Sequence, residues 1–319
     1  MKRGAILVLI GIGSALAQQP NVQNARMETR SLSGGLEATF QAIVNGQTAP
    51  AWVGYAVPII PGDRQMCCWN DNVRGCFLEP HANNVTVVVT QNQTVKLEGP
   101  THLVVLYRVE NRQVGKIRSF SPECELDAGG LPFVWLTGVS GAESVRMLEG
   151  IVKATAVATR EQSRRADAAV SAIAMHADPA AETALEELVA ASQPEEVRRQ
   201  AIVGLAQSKN PQALNVVVGV AHNDKSPRVR GQALFWLAQR AGQKVAESAI
   251  NDAIANDPET EVKKKAVFAL TQMPSGEGVP LLIQVARTNR NPEVRKQAMF
   301  WLGQSKDERA LAFIEQVLK

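Results

Sequence analysis

The 319-residue chain has no long apolar run. Crossing a bilayer as a helix takes about 20 apolar residues, so beyond its leader the chain reads as free of membrane spans. It also lacks a basic excess. The formal net charge is +3, and Lys2 and Arg3 belong to the leader. What remains is near balance, −1 over residues 18–139 and +2 over 140–319. A nucleic-acid binder needs a surplus of cations to neutralise phosphates, so that class is excluded. There is no Cys-x-x-Cys, which removes zinc-ribbon and thioredoxin-like patterns. No serine sits in Gly-x-Ser-x-Gly. The four histidines, His81, His102, His176 and His222, form no His-x-x-x-His pair. No catalytic constellation emerges, and the sequence calls for no cofactor and no resident metal.

What is present starts at the N-terminus. Met1-Lys2-Arg3 precedes an apolar run over Ala5–Ile12 and then Ala15-Leu16-Ala17. A basic start, a short apolar core and a small-x-small site make a secretory signal peptide over residues 1–17. No Cys follows the expected cleavage site, so a lipid anchor is not indicated. The expected location is periplasmic or secreted. About 300 mature residues suggest two domains.

Four cysteines, Cys67, Cys68, Cys76 and Cys124, all fall in residues 18–139. An even count in an exported chain favours disulfides. Neighbouring cysteines rarely bridge each other. Two pairings stay open: 67–76 with 68–124, or 67–124 with 68–76. Around the cysteines, alternating or β-branched runs occur at Trp52–Ile60, Val85–Thr90, His102–Val109, Val114–Phe120 and Phe133–Leu136, separated by turn residues. They predict a small disulfide-bonded antiparallel β domain over 18–139. Trp52 and Trp69 are candidate sugar platforms in it, with core packing as the plainer role. Ser140-Gly-Ala-Glu143 has the form of a capping box and opens a connecting helix over 140–160.

Residues 161–319 repeat. Val197, Val229, Val262 and Val294 are followed four residues later by Ala201, Ala233, Ala266 and Ala298, and eight later by Leu205, Leu237, Leu270 and Leu302. An i, i+4, i+8 row is one stripe of an α-helix. A weaker copy surrounds Arg165, Ala169 and Ile173. Asp224, Asp257, Ser192 and Asn289 stand five residues before their valines, as N-cap and turn types. Second helices follow near Glu182–Val189, Gln212–Ala221, Val245–Ala255, Pro280–Ala286 and Ala310–Leu318. Such helix pairs bury their apolar faces only by stacking, so about five of them predict an all-α solenoid.

The Val-Arg-x-x-Ala-x-x-x-Leu frame at Val197, Val229 and Val294, with Val-Lys at Val262, resembles the HEAT-repeat family in its short phycobilisome-lyase-like bacterial form. The Phe-Trp-Leu segments resemble those of secreted bacterial HEAT-repeat proteins. The resemblance implies a solenoid in the C-terminal half and, for some members, phycobilin-lyase chemistry. It carries no catalytic residues onto this chain.

Two columns on the first helices are candidates for partner binding. Phe235, Phe268 and Phe300 recur six residues after the valine, nearly opposite the core stripe at about 100° per residue. Arg198, Arg230, Lys263 and Arg295 recur one residue after it and suit an acidic partner. The alternative roles are packing between repeats for the rings and pairing with Glu196, Glu261, Glu293, Asp224 or Asp257 for the cations. Gln207, Gln239, Gln272 and Gln304 form a third column, suited to bonding helix-end carbonyls or each other. The sequence therefore points to an exported protein-interaction scaffold with an unidentified protein partner. The alternatives are a thiol- or metal-based sensor through the four cysteines and a phycobilin-lyase-like enzyme. With no polar cap repeat after the last helix, end-to-end self-association stays open.

Overall fold

The computed structural model describes residues 19–62, 66–68, 76–80, 99–154, 159–208, 210–240 and 243–319. The predicted signal peptide, the Val85–Thr90 run, Trp69 and His81 lie outside them. The chain divides into two units, one ending at Val139 and one built mainly of Ser140–Lys319; Pro58–Ile60 and Gly115–Arg118 count with the second.

The first unit contains β1 (Asn21–Gln23), β2 (Arg26–Ser31), α1 (Leu36–Gly46), β3 (Ala51–Pro58), β4 (Cys76–Phe77), β5 (His102–Glu110), β6 (Gln113–Phe120), β7 (Glu125–Asp127) and β8 (Pro132–Thr137). The larger sheet has the order β2-β8-β3-β5-β6, and a three-stranded sheet has the order β1-β7-β4. The expectation of an antiparallel domain needs correction. β2 and β3 both run parallel to β8, and β1 and β4 run parallel to β7. Parallel neighbours need crossover connections, and α1, absent from the sequence reading, lies between β2 and β3 in the chain. The two-residue turn Asn111-Arg112, with φ of 53° and 62°, makes a tight hairpin between β5 and β6.

β3 is central and buried from Ala51 to Val57. A strand covered on both faces reads as a continuous apolar run rather than an alternating one. One face carries Trp52, Ala56, Val104, Leu106, Phe133 and Trp135, which pack with Cys76, Leu78, Cys124 and Leu126. The other carries Tyr55 and Tyr107, and Phe40 of α1 meets Tyr107 edge-on at 4.8 Å. Gly54 is required by close approach: a Cβ there would run into Leu106 Cδ2 and lie 3.1 Å from the Val105 carbonyl.

The second unit holds α2 (Gly141–Lys153) and five helix pairs: α3 (Arg160–Ile173) with α4 (Ala180–Leu188), α5 (Glu195–Gln207) with α6 (Pro211–Asn223), α7 (Pro227–Arg240) with α8 (Gln243–Asn256), α9 (Thr260–Leu270) with α10 (Ser275–Thr288), and α11 (Pro292–Gln304) with α12 (Glu308–Leu318). The Ser140–Glu143 capping box forms as expected, and α2 packs on α3 and α4. It ends at Lys153, short of the predicted bound at residue 160. The first helices contact one another in series. All twelve residues of the Val, Ala and Leu columns are buried. Each buried Val or Leu contributes roughly 1.5–3 kcal/mol, so this stripe drives the stacking.

Pro280 lies inside α10, where its missing N–H leaves the Gly276 carbonyl without a helical donor. Arg309 Nη1 of the next pair donates to that carbonyl at 3.3 Å. Asp224, Asp257 and Asn289 are turn residues between repeats rather than N-caps. Their side chains accept the N–H two residues on, from Ser226, Glu259 and Asn291.

Candidate functional site

The basic column of the first helices is in large part an internal fastening. Arg198 Nε and Nη2 donate to the two oxygens of Asp224 at 2.8 and 2.9 Å, and Nη1 donates to the Gln193 carbonyl at 2.6 Å. Arg230 repeats the arrangement on Asp257 at 2.7 and 2.9 Å, with Nη1 on the Asp224 carbonyl at 2.8 Å. Asp224 thus accepts from Arg198 through its side chain and from Arg230 through its backbone. Burial alone would raise both carboxyls. Hydrogen bonds from the guanidinium and from a backbone N–H, together with the nearby cations, hold them below their ordinary value of 3.8.

Arg198 and Arg230 are 1% and 6% exposed, so the partner-docking role considered for them does not hold. A guanidinium paired side-on inside a packed turn has no free edge for a ligand. Lys263 donates to the Ala255 carbonyl at 2.7 Å, and the matching turn residue is Asn289 instead of Asp. That rung keeps a cation and lacks the carboxylate. Arg295 donates through Nη1 to the carbonyls of Asn289 and Arg290, at 2.7 and 3.1 Å.

The phenylalanine column behaves differently. Phe235 and Phe268 stack across α7 and α9 at 5.9 Å with ring planes 7° apart. Phe268 meets Trp301 at 5.0 Å, and Trp236 and Phe300 close the two ends edge-on. Five rings thus form a ribbon over three successive first helices. Phe235 and Phe268 are half-buried, and Phe300 is 53% exposed. The Trp position alternates Gly204, Trp236, Ala269, Trp301 along the repeats.

Beside the ribbon, Gln239 donates to Gln272 at 3.3 Å. One turn away is a crowd of cations. Arg199 pairs with Glu196, Lys264 with Glu261 and Arg228 with Glu195. Lys265 lies over Gly231, where a Cβ would strike its chain. Burial, then the charges of Arg228 and Arg199, lower the Lys265 pKa.

A third feature is an open cleft of about 640 Å³ formed by α10, α11 and α12. Arg287, Arg295 and Lys296 line it, with Met299, Phe313 and Val317 as its apolar part. Arg287 sits 5.0 Å from the Phe313 ring centre and donates to Gln316 at 3.0 Å. Sequence reasoning did not find this cleft, because α10 and α12 carry no repeat frame to align.

In the first unit the cysteines pair 67–124 and 68–76, one of the two pairings left open. None of the four is free. Trp52 is fully buried and donates its indole N–H to Glu79 at 3.0 Å, which corrects its candidacy as a sugar platform.

A family model described as HEAT repeats matches residues 151–238 and 248–319, half of the chain. The chain belongs to the HEAT-repeat family. Among solved structures, its HEAT unit is similar to the complex of CpcE and CpcF of phycocyanin lyase from Nostoc sp. PCC7120. That match has 18% identity and TM-score 0.38, over 50% of this chain and 99% of that one. It is also similar to the Kap95p complex with RanGDP, at 23% identity and TM-score 0.37, over 56% of this chain and 25% of that one. At these values neither relative's activity is carried over. No curated protein matches the chain.

The HEAT unit also contains a buried His–Ser pair. His176 Nδ1 lies 2.8 Å from the Ala172 carbonyl, which only accepts, so Nδ1 carries the proton. Nε2 then accepts from the Ser144 hydroxyl at 2.7 Å. His176 and Ser144 are 1% and 0% exposed, so this is a fastening and not a reacting dyad. No described helix is long and apolar enough to cross a membrane.

Proposed function

We propose that this chain is an exported protein-interaction scaffold whose HEAT unit docks a protein partner on the exposed face of its first helices. The aromatic ribbon from Trp236 to Phe300 carries the reading, because it leaves stacked ring surface open over three repeats. Aromatic residues are enriched where protein interfaces bury most energy. The glutamines beside the rings supply hydrogen bonds. Extended solenoid surfaces commonly serve such binding. The leader sequence and two disulfides support export to an oxidising compartment.

The test uses photo-crosslinking with a benzoyl-phenylalanine at position 300 in the exporting host. The reading expects one predominant adduct, lost in a Phe268→Ala variant that keeps its thermal stability. Absence of any adduct, or an adduct insensitive to Phe268→Ala, sinks it.

A further inference from the structure

We propose that the cleft between α10, α11 and α12 binds an acidic peptide segment of a partner protein, with one carboxylate seated side-on against Arg295. The inference rests on the scaffold reading only in taking the ligand to be part of a protein. It concerns a different surface from the aromatic ribbon.

Three guanidiniums of one column carry the argument. In Arg198 and Arg230, Nη1 holds a backbone carbonyl while the Nε–Nη2 edge holds a carboxylate. In Arg295, Nη1 again holds backbone carbonyls, those of Asn289 and Arg290. Its Nε–Nη2 edge meets no carboxylate among the described residues. The side chain is therefore held in the geometry that grips an aspartate twice elsewhere in this protein, with the gripping edge unused. Side-on pairing of this kind supplies two parallel charge-assisted hydrogen bonds and fixes the orientation of the bound group.

The surroundings match that role. Arg287 and Lys296 bring two more cations to the cleft, and none of its lining residues is acidic. Uncompensated cations in a concave site focus the field on an incoming anion. Met299, Phe313 and Val317 provide apolar surface for side chains flanking the carboxylate. The volume of about 640 Å³ suits a few side chains, since ligand sites commonly run to about 300–1,000 Å³. The Arg287–Phe313 and Arg287–Gln316 contacts hold one wall in place. The occupant of best fit is a short segment with adjacent carboxylates flanked by leucine-sized residues.

The experiment is fluorescence anisotropy on the full chain with a labelled peptide of adjacent Asp and Glu between leucines. An otherwise identical peptide with Asn and Gln is the control. We expect saturable binding of the acidic peptide that weakens with salt, and no binding of the amide peptide. Arg295→Gln should weaken binding by at least about tenfold, the loss of hydrogen bonds to a charged group. Lys296→Glu, an exposed change that leaves the packing untouched, should weaken it as well and guards against a folding defect in Arg295→Gln. Phe268→Ala should leave it unchanged, so failure of the ribbon reading is told apart from failure of this one. Equal binding of the amide peptide, equal binding to both cleft variants, or no binding at all overturns the proposal. So does equally tight binding of octanoate. Self-association of the chain that Arg295→Gln abolishes would make a second copy the occupant and overturn it too.

Discussion

Arg198 on α5 grips Asp224 in the turn before α7 through two parallel hydrogen bonds of 2.8 and 2.9 Å, with both side chains almost wholly out of solvent. Removing one partner of such a pair strands a buried charge, which costs about 3–5 kcal/mol. Arg198→Met and Asp224→Asn, which keeps the turn acceptor for Ser226, should each lower unfolding free energy by that order in urea titrations. The double variant should lose clearly less than the sum, because neither charge is left alone. Strict additivity would show that the rung is not a coupled unit.

Two pH windows follow from the buried titratable groups. Burial holds His176 below its ordinary 6.5, against the opposing pull of the Ala172 carbonyl and the charge of Asp178. The folded state then binds this proton more weakly than the unfolded chain. Its contribution is complete above 6.5 and is lost as pH falls from there through the folded value. His176→Gln should flatten the stability profile between pH 7.5 and 5.5. Asp224 and Asp257 sit below their ordinary 3.8, so their share persists above that value and is lost only as pH falls further. A wild-type profile flat from pH 7.5 to 5.5 would contradict the His176 assignment.

Tyr55 and Tyr107 share a hydrogen bond of 2.7 Å in a fully buried site. Burial first, then the Tyr55 neighbour, pushes the Tyr107 hydroxyl well above its ordinary pKa. Tyr55→Phe leaves one hydroxyl unpaired and should cost about 1–3 kcal/mol. Tyr107→Phe and the change of both to Phe complete the cycle, and the double change should cost less than the sum of the two single ones. Calorimetric midpoints of the three variants decide it.

Ala233 and Ala266 are fully buried on the packed stripe. Aspartate at either site places an unpaired charge there and should cost several kcal/mol. Near-wild-type melting of both variants would refute the helix register.

Protein recovered from its own host without reductant should show by intact mass the loss of residues 1–17, and no free thiols by titration. An unprocessed mass would refute export. Free thiols would return the cysteines to consideration as a working site.

How far the sequence reached differs between the two units. In the helical unit the Val, Ala and Leu columns named the core, because one face per helix is buried and a 3.6-residue period writes that face into the sequence. The family followed from the same frame. In the first unit, strands β3, β5, β6 and β8 were visible, yet their direction was not. Parallel and antiparallel neighbours use the same residue types, and pairing between β2 and β8 joins residues more than a hundred positions apart. α1 escaped notice, its short apolar face of Leu36, Phe40, Ile43 and Val44 lying between turn-rich stretches.

By itself, the sequence determined the repeat period, the buried stripe, the predicted leader and the even set of cysteines, since each depends on local spacing or count. Only the tertiary structure decided which cysteines pair, which cations are consumed by aspartates of the next turn, and that Arg295 keeps an unused edge beside a cleft. Those outcomes depend on which side chains meet across space. Identical positions in a repeat column share a local environment along the helix and part company where their neighbours differ.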